Sequence, residues 1–428
     1  MNNEFCIISN KSFELNKEED VREAIINEKD THLEIEIRDA DMFNNFLFWN
    51  KDNKKTTTTQ IYYAINKNGN PITLFDASIV KNIYRAIPTA IVNSTKYLIG
   101  TNNNFTKSPY EQKHFTENTK VKRINYFNET IINLLGTKVF KKTETKDKFE
   151  LIATRQKEKT LAIVQANNYK ITINYVDRYE FNYINRETII KPKNYFAIKF
   201  SKVIDIEESI KISNRVDTIL HMLTLTKKRS NKLEIITMKK DQYNYFDLKH
   251  NNNNKSNYRM LFKNDYMLKA FEKLCNLFLN IDEEEANSYF IFLHFDRPTT
   301  SNEILFLEYY RVIEYMHKIK QNKKGKGKNP LFLKDILDKY SDLVKKYFGN
   351  DAIETLEEEI RSLRNYYSHY GYYIKILPVP TDNTKYSKNI TIDWLYKVKM
   401  IMKSIAYLEM YELAGIDINS ADLDSYMI

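Results

Sequence analysis

The spacing of apolar residues changes along the chain, and this change limits the fold more than any other feature. From residue 1 to about 200, apolar and polar residues alternate in short runs rich in β-branched and aromatic side chains, as half-buried strands do. From about 301 onward they recur every three to four positions, the stripe of helices that share a core. Two periods in separate stretches predict an α+β protein with more than one core, and the 428 residues exceed the usual size of a single domain. The expected organisation is an N-terminal β-rich domain over 1–205, an α/β connecting region over 206–300 and a C-terminal all-α four-helix domain over 301–428.

The clearest predicted strands lie at 32–37, 149–154, 160–165, 169–175 and 195–200. Between them, Asn167-Asn168 and the 191–194 segment carry turn residues, and the threonine run at 56–59 reads as an exposed loop or hairpin rim. With only 8 Gly and 8 Pro in the chain, many turns must use Asn or Asp, which tolerate left-handed backbone better than other non-glycine residues. The middle region combines a helix carrying Ile210, Val216, Ile219, Leu220, Leu223 and Leu225 with a strand at 233–238 and an Asn-rich loop at 251–255. Two further helices are expected near 267–279 and 283–295.

Four helices are predicted after 301. The first carries Leu305, Tyr309, Val312, Met316 and Ile319, and a Lys/Gly-rich loop at 321–330 ends it. The second covers 331–348. The third begins at Asp351, with Glu354 in capping-box spacing and acids in its first turns that suit the helix dipole. The fourth covers 392–413, with Leu395, Val398, Met402, Ile405 and Leu408 as its stripe. Short connections between amphipathic helices imply a four-helix bundle.

Lys and Arg total 66 against 56 Asp and Glu, a net charge of +10 that favours a polyanionic partner. Cys6 and Cys275 are far apart and fit no zinc spacing, so neither a disulfide framework nor a structural zinc site is expected. No leader pattern and no run of about 18 apolar residues is present, which predicts a cytoplasmic protein without a membrane segment. Phosphate-loop, dinucleotide and nucleophile-elbow motifs are missing, and His294 with Asp296 has no third ligand nearby, so no metal or other cofactor is implied. His317 reads as a core or interface histidine.

The third predicted helix holds the most informative residues, an Arg-Asn-x-x-x-His motif at 364–369. At about 100° per residue, Leu356, Ile360, Leu363 and Tyr367 share one side, while Arg361, Arg364, Asn365, Ser368 and His369 spread over the other. Such a polar face suits RNA cleavage. His369 titrates near neutral pH and can exchange protons with a ribose 2′-hydroxyl or a departing 5′-oxygen without a metal. Arg364 can bind the scissile phosphate and stabilise the charge that develops on it, with Asn365 and Ser368 positioning. Glu314, on the first predicted helix, either orients Arg364 or His369 across the bundle or forms a surface ion pair. Read as plain surface chemistry, the same arginines pair with Glu357 and Glu358 in a solvated face.

Three stretches, 305–318, 363–370 and 411–416, resemble the first, third and last helices of ApeA-type domains of the HEPN superfamily, and 214–235 looks like the end of the β-rich domain that precedes them. The resemblance covers about 300–418 well and the preceding region more loosely. It implies a C-terminal HEPN four-helix bundle with Arg364 and His369 as catalytic residues and Asn365 in the polar position of that site, and residue chemistry adds Ser368, Glu314 and Arg361 as auxiliaries. From residue chemistry, Lys323, Lys324, Lys326 and Lys328 either wrap an RNA backbone near the site or form a flexible solvated loop, and Tyr366 and Tyr370 are further candidates for RNA binding.

The implied activity is a metal-independent endoribonuclease acting on RNA, tRNA among the targets, in bacterial anti-phage defence by abortive infection. HEPN nucleases pair two such helices across a two-fold axis, so a single motif implies a homodimer or higher even oligomer. By analogy of layout, the β-rich domain would sense a phage-derived trigger. Two rivals stand beside this expectation: a HEPN dimer that binds RNA or a nucleotide without cutting it, as regulator or adaptor, and a scaffold whose β domain binds a protein while the helices only dimerise.

Overall fold

The computed structural model describes residues 4–9, 22–30, 32–38, 60–68, 70–82, 89–100, 115–116, 119–128, 131, 140–145, 148–153, 158–166, 168–177, 179–184, 187–192, 194–225, 232–247, 261–262, 264–281, 301–320, 332–349, 353–370 and 392–418. For 366–370 and for the hairpins at 140–153 and 179–192 the description is of the backbone alone. The architecture is α+β, with a β-barrel region in the N-terminal part and helices in the C-terminal part.

The strands are β1 (Glu4–Ser9), β2 (Arg22–Glu28), β3 (Leu33–Arg38), β4 (Gln60–Asn66), β5 (Pro71–Asn82), β6 (Thr89–Ser94), β7 (Lys96–Gly100) and β8 (Val121–Tyr126). They continue as β9 (Phe140–Thr145), β10 (Lys148–Ala153), β11 (Lys159–Ala166), β12 (Tyr169–Val176), β13 (Tyr179–Ile184), β14 (Glu187–Pro192), β15 (Tyr195–Ile204), β16 (Lys232–Thr237) and β17 (Gln242–Asp247). The helices are α1 (Ile206–Thr224), α2 (Asn264–Phe278), α3 (Asn302–Lys320), α4 (Phe332–Lys339), α5 (Ser341–Phe348), α6 (Ile353–Tyr370) and α7 (Ile392–Leu413).

The chain divides into two compact units, 1–217 with 228–258, and 218–227 with 259–428. The 206–300 region is therefore shared: the first part of α1 and β16–β17 belong to the first unit, and the end of α1 with α2 to the second.

In the first unit, antiparallel pairing runs β4-β1-β2-β3-β6 and closes through β5, which pairs with both β4 and β6. The β4–β5 register is irregular near Asp76, a non-glycine residue at φ 50°, and beyond Ala77 the strand continues as Ser78 to Asn82, which pair with β6. Lys96 Nζ binds Asp76 Oδ2 at 3.2 Å at this corner. Alternation fills the barrel: Leu33, Ile35 and Ile37 of β3 point inward with Cys6, Ile8, Ile26, Ile72, Leu74 and Val92.

Beyond β5 the sheet continues as β7-β17-β16-β8-β15-β12-β11. Asparagine supplies turn chemistry at the β4–β5 hairpin, where Asn66 Oδ1 accepts from the backbone N–H groups of Asn68 (3.1 Å) and Asn70 (3.0 Å). Asp205 caps α1, its Oδ1 accepting from Glu208 N at 2.8 Å.

In the second unit, α3 packs most extensively on α7, and α6 touches α3, α4 and α5. The buried stripes are Leu305, Tyr309, Val312 and Met316 on α3, Leu356, Ile360 and Leu363 on α6, and Leu395, Val398, Met402 and Ile405 on α7. The single helix expected over 331–348 is two helices instead. Tyr340, at φ −107° and ψ 34°, leaves the helical region between them. Its hydroxyl donates to buried Glu409 on α7 at 2.7 Å, and Lys339 Nζ reaches Glu409 at 2.6 Å and Glu412 at 2.5 Å. These side chains draw the break toward α7, while the Tyr340 carbonyl accepts from Leu343 N at 3.0 Å and restarts the helix at once. The helix expected over 283–295 lies outside the described residues, as do the loops at 56–59, 251–255 and 321–330.

Candidate functional site

The face of α6 turned away from its buried stripe carries Arg364 and Asn365, one partly exposed and the other exposed. Leu356, Ile360 and Leu363 anchor the opposite face, so these residues recur at steps of three and four and leave the polar positions outside. Arg364 is not a loose surface side chain. Its Nη1 donates to Asn365 Oδ1 at 3.1 Å, its Nη2 lies 4.0 Å from Glu314 Oε2 on α3, and its guanidinium carbon stands 5.7 Å from the centroid of the Tyr310 ring.

Tyr310 and Glu314 are four residues apart on α3 and so face the same way, one as an aromatic shelf and the other as a carboxylate. Tyr310 is itself buried and set edge-on to Phe332 of α4, with ring centroids 5.6 Å apart. Burial pushes its hydroxyl pKa up to about 12, Glu314 adding to the shift and Arg364 opposing it. The hydroxyl therefore stays protonated through the neutral range, and what Tyr310 turns toward Arg364 is its ring.

Arg361 takes the local course, pairing with Glu357 one turn earlier on α6. Surface pairing is thus found for Arg361, while Arg364 turns to α3. Glu314 also accepts from Lys318 Nζ at 3.1 Å, so its carboxylate bridges a lysine of its own helix and the arginine of α6. Arg364 keeps 36% of its side-chain surface exposed, enough for an anion to approach the guanidinium.

The structure thus brings together Arg364, Asn365 and Glu314 of the predicted residues and adds Tyr310. Helix α6 continues to Tyr370, so Tyr366, Ser368, His369 and Tyr370 share its backbone with Arg364, and His369 is four residues on from Asn365; their side chains are outside the description. Lys323, Lys324, Lys326 and Lys328 lie outside the described residues, as do His294 and Asp296. The His317 ring packs 5.7 Å from that of Phe332. The shelf role of Tyr310 was not read from the sequence, although its spacing from Glu314 was the available signal.

Among the described residues, no group of three or more His, Cys, Asp or Glu side chains is placed to hold a metal ion, and no helix is long and apolar enough to cross a membrane. Both cysteines are buried and free, and burial raises both thiols, that of Cys6 to about 12. No family model, curated protein or solved structure matches the chain.

Proposed function

We propose that the chain is a HEPN-type, metal-independent endoribonuclease with a β-rich regulatory part, acting in anti-phage defence by abortive infection. The observation that carries this reading is the anchored but open guanidinium of Arg364, held by Asn365, Glu314 and the Tyr310 ring on a helix that also contains His369. An arginine set in place before substrate arrives loses little freedom on meeting a phosphate and can act where charge develops.

In this reaction a ribose 2′-hydroxyl attacks the adjacent phosphorus in line and the bond from phosphorus to the 5′-oxygen breaks. The products are a 2′,3′-cyclic phosphate and a 5′-hydroxyl. Arg364 neutralises the equatorial oxygens, and His369 moves the proton between the attacking or departing oxygen and solvent. Asn365 holds the guanidinium, Ser368 supports the phosphate, and Arg361, engaged by Glu357, adds positive charge beside it. The site would be completed by a second α6 in a homodimer, with the Lys323–Lys328 loop and Tyr366 and Tyr370 binding RNA, and with a phage-derived trigger acting on the β-rich part.

The test is cleavage of total bacterial RNA, including tRNA, in EDTA by wild type, Arg364→Ala and His369→Ala, with product ends typed. EDTA-resistant cutting that leaves cyclic phosphates and is lost in both variants supports the reading. Cutting at wild-type rate by His369→Ala would refute the catalytic assignment. RNA binding without cutting would favour the regulator or adaptor function.

A further inference from the structure

Two ladders of the β-rich unit share one register. Val176 of β12 pairs with Tyr195 of β15, and Tyr179 of β13 pairs with Pro192 of β14, so the two are pieces of a single antiparallel ribbon. Between the pieces, Asp177 and Asn194 stand directly opposite each other and belong to neither ladder. Alternation puts Asp177 on the side of Ile173 and Tyr175, and Asn194 on the side of Phe196 and Ile198, all of them buried.

Both side chains are themselves buried, Asp177 at 6% exposure and Asn194 at 3%. Both nevertheless keep an oxygen without a hydrogen-bond partner, Asp177 Oδ1 and Asn194 Oδ1. Asp177 forms no ion pair among the described residues. The amide of Asn194 is already spent, its Nδ2 donating to the Tyr175 hydroxyl at 2.7 Å, so what it turns to Asp177 is an acceptor. On the neighbouring β8, Asn128 Nδ2 donates to the Tyr126 hydroxyl at 3.1 Å, and that hydroxyl bonds Asp217 of α1, which gives this end of the sheet a second carboxylate.

A buried carboxylate without a partner is among the most costly groups a protein interior can hold. Two acceptors directly opposite on neighbouring strands, with Cβ atoms about 4.5–5.5 Å apart, are satisfied together by one positive group set between them. Water can donate to both oxygens but leaves the charge in place. We propose that Asp177 and Asn194 hold a hard metal cation, Ca²⁺ or Mg²⁺, through Asp177 Oδ1 and Asn194 Oδ1, with backbone carbonyls at the interruption of the ladder and water as the remaining ligands. Three acids are not required, because such cations also take amide and carbonyl oxygens, and these side chains offer neither the sulfur nor the imidazole that softer metals select. The cation pins the ribbon where its own hydrogen bonds lapse. It takes no part in cleavage: Asp177 and Asn194 belong to the first compact unit and Arg364 to the second.

The experiment is isothermal titration calorimetry on the full chain, dialysed against chelator and then into chelator-free buffer, with CaCl₂ and MgCl₂ as the two probes and thermal melts run alongside. Wild type should bind one of the two at a single site per chain and melt higher in its presence. Asp177→Asn keeps the shape and removes the charge, and it should weaken that binding by more than about tenfold, since losing an outer-shell partner alone costs about 10–100-fold. In chelator the same variant should melt at or above wild type, because it no longer buries an unpaired charge. Asn194→Asp adds a second carboxylate and should tighten binding.

Failure of wild type to bind either probe would overturn the inference, as would wild-type affinity in Asp177→Asn, which would put the ion on surface carboxylates. A melt of Asp177→Asn well below wild type in chelator would mean that the carboxylate is satisfied without a cation, and would overturn it too. Asn194→Asp gives an independent reading: tighter binding supports the site, and unchanged or weaker binding counts against it. These measurements read binding and melting, so they stand or fall separately from the nuclease assay.

Discussion

The strongest demand on the proposed chemistry is that Arg364 matter far more than the carboxylate that holds it. Glu314 Oε2 lies 4.0 Å from Arg364 Nη2, and at that distance two unit charges attract by about 4 kcal/mol at an effective dielectric near 20. The two side chains are 28% and 36% exposed, so solvent screening brings the net worth down to about 0–1 kcal/mol. Glu314→Ala should therefore cost less than about fivefold in single-turnover cleavage, since 1.4 kcal/mol corresponds to about tenfold. Asn365 and the Tyr310 ring still hold the guanidinium in that variant.

Arg364→Ala removes the donor facing the transition state and should cost about 10²–10³. Arg364→Lys should fall between them, because a point charge lacks the planar fork needed to engage Asn365 and a phosphate together. The assay is EDTA-resistant cleavage of an RNA that wild type cuts, with thermal midpoints confirming that each variant is folded. Arg364→Ala within a few-fold of wild type would remove the basis of the mechanism. A Glu314→Ala loss as large as that of Arg364→Ala would show that the carboxylate takes part in the reaction and does more than position its neighbour.

Tyr340→Phe should lower stability by about 1–2 kcal/mol in urea unfolding, because the hydroxyl donates to a buried carboxylate, Glu409, at 2.7 Å; an unchanged midpoint would mean that the bond contributes nothing at the α4–α5 break. Glu308 is buried with its Oε2 unpartnered, and burial raises its pKa against the opposing charge of Arg311. Its folded pKa exceeds its unfolded one, so ionisation works against folding: the penalty is missing below the unfolded pKa, near 4.3, and grows as pH rises toward the folded value. Glu308→Met should therefore stabilise the protein at pH 7, by on the order of 1 kcal/mol, and this gain should shrink on acidification through that window; a gain equal at pH 4 and pH 7 would contradict the assignment. Tyr310→Phe should leave the pH–rate profile unchanged, since a hydroxyl raised to about 12 does not titrate in the working range; a displaced limb of the profile would give it a proton-transfer role.

How much of this was legible in the sequence depends on how far apart the deciding residues lie. Helix α7 occupies Ile392–Leu413, as its apolar period predicts, and the expected strands at 32–37, 149–154, 160–165, 169–175, 195–200 and 233–238 correspond to β3, β10, β11, β12, β15 and β16, because in each case neighbouring residues carry the pattern. Closure of the barrel was not legible. It depends on β5 pairing with β4 and β7 in its first part and with β6 from Ser78 on, and alternation within 71–82 says nothing about which partners wait on either side. The split of the expected 331–348 helix has a similar origin, since the apolar stripe runs on through Tyr340 while the carboxylate that draws it out of line is Glu409, 69 residues later.

The same distinction divides the candidate site. Arg361 with Glu357 is a one-turn pair that helical spacing alone anticipates. The setting of Arg364 is not local, because the Tyr310 ring and the Glu314 carboxylate reach it only once α3 and α6 have packed. Of two arginines three residues apart on one helix, Arg361 pairs with a carboxylate one turn earlier and its charge also reaches Tyr310, while Arg364 joins Asn365 of its own helix to Glu314 and Tyr310 of α3, the arrangement that the proposed chemistry uses. That difference in wiring, more than the presence of an Arg-Asn-x-x-x-His motif, makes Arg364 the residue on which the proposed chemistry depends.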